Sequence, residues 1–127
     1  MPLLKVNKKI FCVVTGSRAE FGIMRNLLKK LKNDSSIKLK LVVTGSHLLN
    51  KYGYTIDEVI KSNLDIYNKI SVISENDTPN DIAQSASIIL KKLSIIFSNL
   101  KPDLLIILGD RFEIFIAAFA ATLHKIP

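Results

Sequence analysis

Four short runs rich in apolar residues recur along the chain and set its periodic pattern. Three of them, residues 9–15, 39–44 and 105–108, show little polar alternation and are too short for buried helices. We therefore predict strands that are buried on both faces of a sheet. The remaining run, residues 66–73, alternates apolar and polar positions, which places it nearer an edge of the sheet.

Apolar residues at helical spacing fill the segments between these runs. After the first strand, apolar residues recur every three or four positions, the spacing of one helical face, at Phe21, Met24, Leu27, Leu28 and Leu31. Thr55 and Glu58 have the spacing of a helix capping box. The predicted helices cover residues 20–32, a segment that begins at Thr55, residues 81–99 and residues 112–124. Because strand and helix alternate four times, we predict an α/β fold with a parallel, Rossmann-like sheet in the order 3-2-1-4 and helices on both faces.

The chain has 127 residues, which is enough for one domain with its own core. The last predicted helix is followed by a few residues only, whereas a Rossmann-type unit continues into further strands. We therefore expect residues 1–127 to form a single Rossmann-like domain taken from a longer protein.

The sequence favours a cytoplasmic protein that does not enter a membrane. No cleavable signal is visible, because Lys8 and Lys9 interrupt the start of the chain. The apolar run at residues 114–123 has about half the length that a membrane span requires. The single cysteine, Cys12, lies in an apolar run and is predicted to be a buried, inert thiol.

The net charge is +7, which raises the question of a polyanionic partner. The lysines are scattered along the chain, and no aromatic residues alternate with them in the manner of base-stacking surfaces. We therefore expect a solvated basic surface and no nucleic-acid partner.

Three of the predicted strands end in a similar way, at Gly16, Gly45 and Gly109. In the order 3-2-1-4 these strands are neighbours, and the direction of the sheet reverses between strands 1 and 4. Ligands of open parallel sheets bind at such a reversal, outside the carboxyl ends of the strands. The polar residues that follow these glycines and would face this crevice are Arg18, Glu20, His47, Asp110, Arg111 and Glu113.

Two arginines and two helix amino termini favour an anionic ligand, above all phosphate. Asp110, beside an arginine, is suited to general acid–base chemistry. Simpler interpretations stay open. Ser17 could cap a helix without any further role, and Arg18 could form an ion pair with Glu20 or Asp110 without binding a ligand. We expect no metal, because His47 has no second histidine nearby, and no bound cofactor, because the dinucleotide and P-loop glycine motifs are missing.

Three segments taken together resemble the UDP-N-acetylglucosamine 2-epimerase family. They are Val-Thr-Gly-Ser-Arg-Ala-Glu-Phe-Gly at 14–22, Thr-Gly-Ser-His-Leu at 44–48 and Leu-Gly-Asp-Arg-Phe-Glu at 108–113. The chain resembles the hydrolysing branch, which makes N-acetylmannosamine-type sugars for sialic-acid biosynthesis. Ile23 stands where the non-hydrolysing branch carries a lysine.

The resemblance implies the amino-terminal half of a GT-B architecture, with the active site between this domain and a missing carboxyl-terminal one. It implies that Arg18, Arg111 and Gly22 contact the UDP-sugar, that Asp110 is the acid–base group and that His47 and Glu113 line the pocket. We count Glu113 with the catalytic residues, and His47 and Glu20 with those that bind substrate.

The implied reaction is anti elimination of UDP followed by addition of water. Homo-oligomers are possible in the family. The alternatives are a GT-B glycosyltransferase domain and a flavodoxin-like or receiver-like phosphoacceptor module.

Overall fold

The computed structural model describes residues 7–48, 56–71 and 77–127, without the side chains of Ser46 and His47. Strands and helices alternate along the whole of this part of the chain. The elements are β1 (Lys9–Thr15), α1 (Arg18–Asn33), β2 (Ile37–Thr44), a 3₁₀ turn (Gly45–Leu48), α2 (Ile56–Lys61), β3 (Ile66–Ile70), α3 (Pro79–Leu100), β4 (Leu104–Ile107) and α4 (Phe112–Leu123).

The four strands form one parallel sheet in the order β3-β2-β1-β4, as predicted. In the register of β1 and β2, Thr15 lies opposite Val43, and in that of β1 and β4, Val14 lies opposite Ile107. The carboxyl ends of β1, β2 and β4 therefore meet at one edge of the sheet.

Helices cover both faces of the sheet because successive strand residues point to opposite sides. Cys12 and Val14 of β1 pack in the cluster that includes residues of α3 and α4. Val13, between them, packs in the cluster that includes residues of α1 and α2. This arrangement confirms the α/β class and the helices on both faces.

The two long helices begin at side-chain caps. The Ser17 hydroxyl accepts a hydrogen bond from the backbone nitrogen of Glu20 at 3.4 Å, so α1 begins two residues earlier than predicted. The Thr78 hydroxyl accepts from the backbone nitrogen of Asp81 at 3.2 Å and starts α3. The cap at Ser17 fixes the direction in which α1 leaves the sheet edge.

The predicted strands differ in detail from the structure: β2 begins at Ile37, two residues before its predicted start, and β4 covers Leu104–Ile107 where residues 105–108 were predicted. β4 was predicted to be buried on both faces, but its residues are half-buried, because β1 is its one strand neighbour in the described sheet. β3 lies at the opposite edge, as expected, and ends at Ile70. Of the residues predicted to extend it, Val72 and Ile73 lie outside the described residues. No helix in the described ranges has the length and apolar character to span a membrane.

Candidate functional site

The exits of β1, β2 and β4 bring three glycines to the same edge of the sheet. Gly45 has φ +66° and Gly109 has φ +129°. Residues other than glycine rarely adopt these backbone conformations. A Cβ at Gly45 would lie 2.7 Å from the carbonyl oxygen of Gly16. The turns after β1 and β2 therefore pack at a distance that glycine alone allows.

Glu20, in the first turn of α1, lies inside this edge and not on its surface. Its side chain is 6 % exposed, and its Oε2 accepts a hydrogen bond from the backbone nitrogen of Gly16 at 2.9 Å. Its Oε1 has no hydrogen-bond partner among the described residues. Burial raises the pKa of Glu20, and the nearby charge of Glu113 raises it further.

Glu113, in the first turn of α4, is 1 % exposed and is paired with Arg111. Arg111 Nε donates to Oε2 at 3.2 Å, and Nη2 donates to Oε1 at 3.4 Å. The Arg111 side chain remains 40 % exposed. The pair therefore joins a buried carboxylate to a guanidinium at the surface of the candidate site.

The two glutamates occupy the space that side chains at the glycines would need. A Cβ at Gly45 would lie 2.8 Å from Glu113 Oε1, and one at Gly109 would overlap the carboxyl group of Glu20. The glycines at these exits thus make room for buried carboxyl groups of the same domain.

Arg18 makes a contact that the sequence does not indicate. Its Nε lies 3.1 Å from Glu58 Oε1 on α2, and its side chain is 71 % exposed. Arg25 Nη2 lies 4.0 Å from the other oxygen of Glu58. The alternative interpretation, in which Arg18 pairs with Glu20 or Asp110, is therefore wrong. The capping box predicted for Thr55 and Glu58 stays a prediction, because Thr55 lies outside the described residues.

The other predicted site residues are distributed as follows. Asp110 directly follows Gly109 and is exposed. Gly22 is exposed on α1, with no atom within 4 Å of the position of a Cβ, so packing does not require glycine there. The side chain of His47 lies outside the described part of the chain. Arg18, Asp110 and Arg111 thus lie just after strands that end at the same edge of the sheet. Arg18 and Arg111 are each paired with a different carboxylate.

Within the described ranges, no group of three or more histidine, cysteine, aspartate or glutamate side chains is placed to hold a metal ion. His124, at the end of α4, lies 2.8 Å from the Ser94 hydroxyl through Nε2 and packs edge-on against the Phe97 ring. Its position joins α3 to α4, away from the strand exits.

The chain matches known sequences over most of its length. The sequence profile described as UDP-N-acetylglucosamine 2-epimerase matches residues 29–127. Polysialic acid biosynthesis protein P7 of Escherichia coli is 42 % identical over 120 residues, which cover 94 % of this chain and 30 % of that protein. The GDP/UDP-N,N'-diacetylbacillosamine 2-epimerase (hydrolyzing) of Campylobacter jejuni is 35 % identical over 122 residues, which cover 96 % of this chain and 32 % of the enzyme.

Solved structures share the fold. A crystal structure of a UDP-N-acetylglucosamine 2-epimerase superposes with a TM-score of 0.75 at 26 % identity, over 94 % of this chain and 30 % of that chain. The chain thus spans about a third of the length of the relatives that it matches.

Proposed function

Because the chain belongs to the UDP-N-acetylglucosamine 2-epimerase family, we propose that it is the amino-terminal domain of a hydrolysing 2-epimerase of the two-domain GT-B architecture. The substrate is UDP-N-acetylglucosamine or a related UDP-acetamido sugar, and the products are UDP and the 2-epimeric free sugar. The partner of this domain is a carboxyl-terminal domain of the same enzyme, which closes the other side of the cleft.

The observation that carries the proposal is the shared sheet edge at the ends of β1, β2 and β4. Arg18 opens α1 at this edge, and Asp110 and Arg111 precede α4. A helix amino terminus and a guanidinium both favour anionic oxygens, so this edge is suited to the diphosphate of a nucleotide sugar.

The two arginines are proposed to bind the diphosphate in different ways. Arg111 is anchored by the buried Glu113 carboxylate, which fixes the guanidinium before the ligand arrives. Arg18 is largely exposed and pairs with Glu58 at the surface. Surface ion pairs of this kind contribute about 0–1 kcal/mol, so Arg18 exchanges Glu58 for a phosphate at little cost.

Asp110 is the proposed acid–base group, because its carboxyl group is exposed and directly precedes Arg111, which is proposed to bind the diphosphate. Glu113 is buried and directed at Arg111, so in this proposal it acts through Arg111. Its direct catalytic role stays a prediction. Contact of Gly22 and His47 with the substrate also stays a prediction.

The proposed reaction has two steps. In the first, a base removes the proton from C2 while the bond from C1 to the UDP oxygen breaks, which gives a 2-acetamidoglucal and UDP. In the second, water adds across the double bond, with oxygen at C1 and a proton at C2 on the face opposite to the original one. The name of the Escherichia coli relative refers to polysialic acid biosynthesis, which supports placing the product among precursors of sialic-acid-type sugars.

A hybrid enzyme tests the proposal. Residues 7–127 replace the matching amino-terminal segment of the Campylobacter jejuni 2-epimerase, and the unmodified enzyme serves as the positive control. In D₂O the hybrid is expected to release UDP from a UDP-acetamido sugar and to yield the 2-epimer with deuterium at C2. A folded hybrid that releases no UDP from UDP-N-acetylglucosamine or UDP-N,N'-diacetylbacillosamine contradicts the proposal.

A substitution at Asp110 and the identity of the product separate the alternatives. Asp110→Asn in the hybrid is expected to lower kcat by about 10²-fold or more while UDP binding persists. A glycosyltransferase would release UDP only when an acceptor sugar is added and would keep the configuration at C2. Release that requires an acceptor would therefore support the glycosyltransferase alternative.

A further inference from the structure

Two carboxyl groups share one buried position behind the strand exits. Glu20 on α1 and Glu113 on α4 are 6 % and 1 % exposed. An oxygen of each lies within 4 Å of the position that a Cβ at Gly16 would take. The two glutamates therefore meet beneath the edge of the sheet at which the diphosphate is proposed to bind.

The two carboxyl groups differ in their hydrogen-bond partners. Arg111 donates to both oxygens of Glu113. Glu20 receives one hydrogen bond, from the backbone nitrogen of Gly16 to Oε2, and its Oε1 has no partner among the residues that the structure describes. A buried carboxylate oxygen without a partner, beside a second buried carboxylate, is unfavourable, and a proton on Glu20 removes that cost.

The oxygen without a partner lies against the turn that carries Asp110. A Cβ at Gly109 would overlap Oε1 of Glu20 and would lie 2.9 Å from its Cδ. Glu20 thus contacts the exit of β1 through Gly16 and the exit of β4 through Gly109. Neither contact leads outward to a ligand, because the side chain is almost fully buried.

We propose that Glu20 is a positioning residue that holds the exits of β1 and β4 together and so fixes the place of Asp110. The consequence for catalysis rests on the acid–base role proposed above for Asp110. The charged group that acts on Glu20 from the described elements is Glu113 of α4, with its partner Arg111. The backbone nitrogen of Gly16 supplies its hydrogen bond from the exit of β1.

The first test uses the 127-residue chain without substrate. Carboxyl ¹³C NMR is expected to give Glu20 a titration midpoint above its ordinary value of 4.5. The backbone amides of Gly109 and Asp110 are expected to shift with the same midpoint, and Glu20→Gln is expected to abolish that shift. Asp57→Asn, which removes an exposed carboxylate from α2, is the matched control and leaves the shift in place.

A Glu20 midpoint at or below 4.5 overturns the proposal. Amides of Gly109 and Asp110 that do not follow Glu20 overturn it as well, because the coupling between the two exits would then be absent.

The second test uses the hybrid enzyme and separates positioning from a contact with substrate. Glu20→Ala is expected to lower kcat by about 10²-fold, since a small misplacement of a catalytic group has an effect of this order, with KM changed much less. Glu20→Gln is expected to recover most of that loss, because the amide has the shape of the neutral acid. The side chain of Glu20→Asp is too short to reach both glycines, so its kcat is expected to lie between those of Glu20→Ala and Glu20→Gln. It replaces the alanine variant in this test if that variant does not fold.

Equal losses for Glu20→Gln and Glu20→Ala would show that the negative charge itself is needed, as a group that binds substrate would require, and would overturn the positioning role. A rise in KM alone would overturn it as well. If the unsubstituted hybrid is inactive, the proposed function fails, and the amide titration still decides whether Glu20 couples the two exits.

Discussion

Arg111 reaches over the start of α4 to the buried carboxylate of Glu113, with Nε 3.2 Å from Oε2 and Nη2 3.4 Å from Oε1. Arg18, the other arginine of the site, pairs with Glu58 at the surface of α1 and α2. The two arginines therefore contribute differently to stability, although the sequence gives them similar positions after a glycine-terminated strand.

The difference between the two ion pairs can be measured. Arg111→Met is expected to lower the free energy of unfolding by about 2 kcal/mol, because it removes the cation that faces a buried carboxylate; the exposure of Arg111 keeps the loss below that of a fully buried pair. Arg18→Met is the matched control and is expected to change it by about 0.5 kcal/mol or less. Urea denaturation at neutral pH measures both. Equal losses would contradict the difference in burial between the two carboxylates.

Gly109 and Gly22 form a second matched pair. Gly109→Ala is expected to destabilise the chain by about 2 kcal/mol, since φ is +129° and the new Cβ would overlap the Glu20 carboxyl group. Gly22→Ala meets open space in the middle of α1 and is expected to stabilise it by about 0.5–1 kcal/mol. If Gly22 contacts the substrate, the same variant lowers the activity of the hybrid despite its higher stability. Thermal unfolding with a UDP-release assay separates the two effects.

The protonation of Glu20 predicts how stability depends on pH. In the folded chain its pKa is raised above the ordinary value of 4.5 by burial and by Glu113. As the pH rises, Glu20 therefore loses its proton at a lower pH in the unfolded chain than in the folded chain. The stability that Glu20 contributes is therefore complete below about pH 4.5 and is lost as the pH rises through the folded-state pKa. The unfolding free energy of the wild type minus that of Glu20→Gln is expected to fall as the pH rises above about 4.5 and to level off above the folded-state pKa. A difference that stays constant or rises across this range would contradict the prediction.

Cys12 is expected to be unreactive in the folded chain. Its side chain is fully buried in β1, and burial raises the pKa of the thiol from 9.0 to about 12. Since the thiolate is the nucleophile, iodoacetamide at pH 8 is expected to label the folded chain only as fast as it unfolds. Labelling in urea gives the reference rate. Rapid labelling without denaturant would show that β1 opens far more readily than its burial implies.

The isolated chain is expected to turn over UDP-N-acetylglucosamine at a negligible rate. Its arginines face water along the sheet edge, where single contacts with phosphate are weak. The chain covers about a third of the enzymes it matches, so in the proposed enzyme the carboxyl-terminal domain supplies the other side of the cleft. Release of UDP by the chain alone, at a rate near that of the hybrid, would contradict this expectation.

Much of the fold could be predicted because its signals are local. The apolar runs predicted the four strands, and the helical spacing predicted the buried Phe21, Met24 and Leu28 of α1, although Leu27 of the same predicted stripe is 47 % exposed. The sheet order and the family were also correct, and the family assignment came from three motifs considered together. The burial of β4 was overestimated, because its apolar character was interpreted without regard to the predicted order, which leaves it with one strand neighbour.

The candidate site was predicted only in outline. The sequence brought Arg18, Asp110 and Arg111 to one edge of the sheet, and the structure agrees with that placement. It did not indicate that Glu20 and Glu113 turn inward, nor that Glu58 is the partner of Arg18. No periodic signal marks such contacts, since each joins elements that are distant along the chain.

By itself, the sequence determined the order of the elements, the order of the strands and the glycines at three strand ends. These properties follow from hydrophobic spacing and backbone freedom, which act over a few neighbouring residues. Only the tertiary structure decided which carboxyl groups are buried and which arginine each carboxylate holds. The packing of α1 and α4 against the same sheet edge brings Glu20 and Glu113 behind the glycines, and that packing depends on the whole domain.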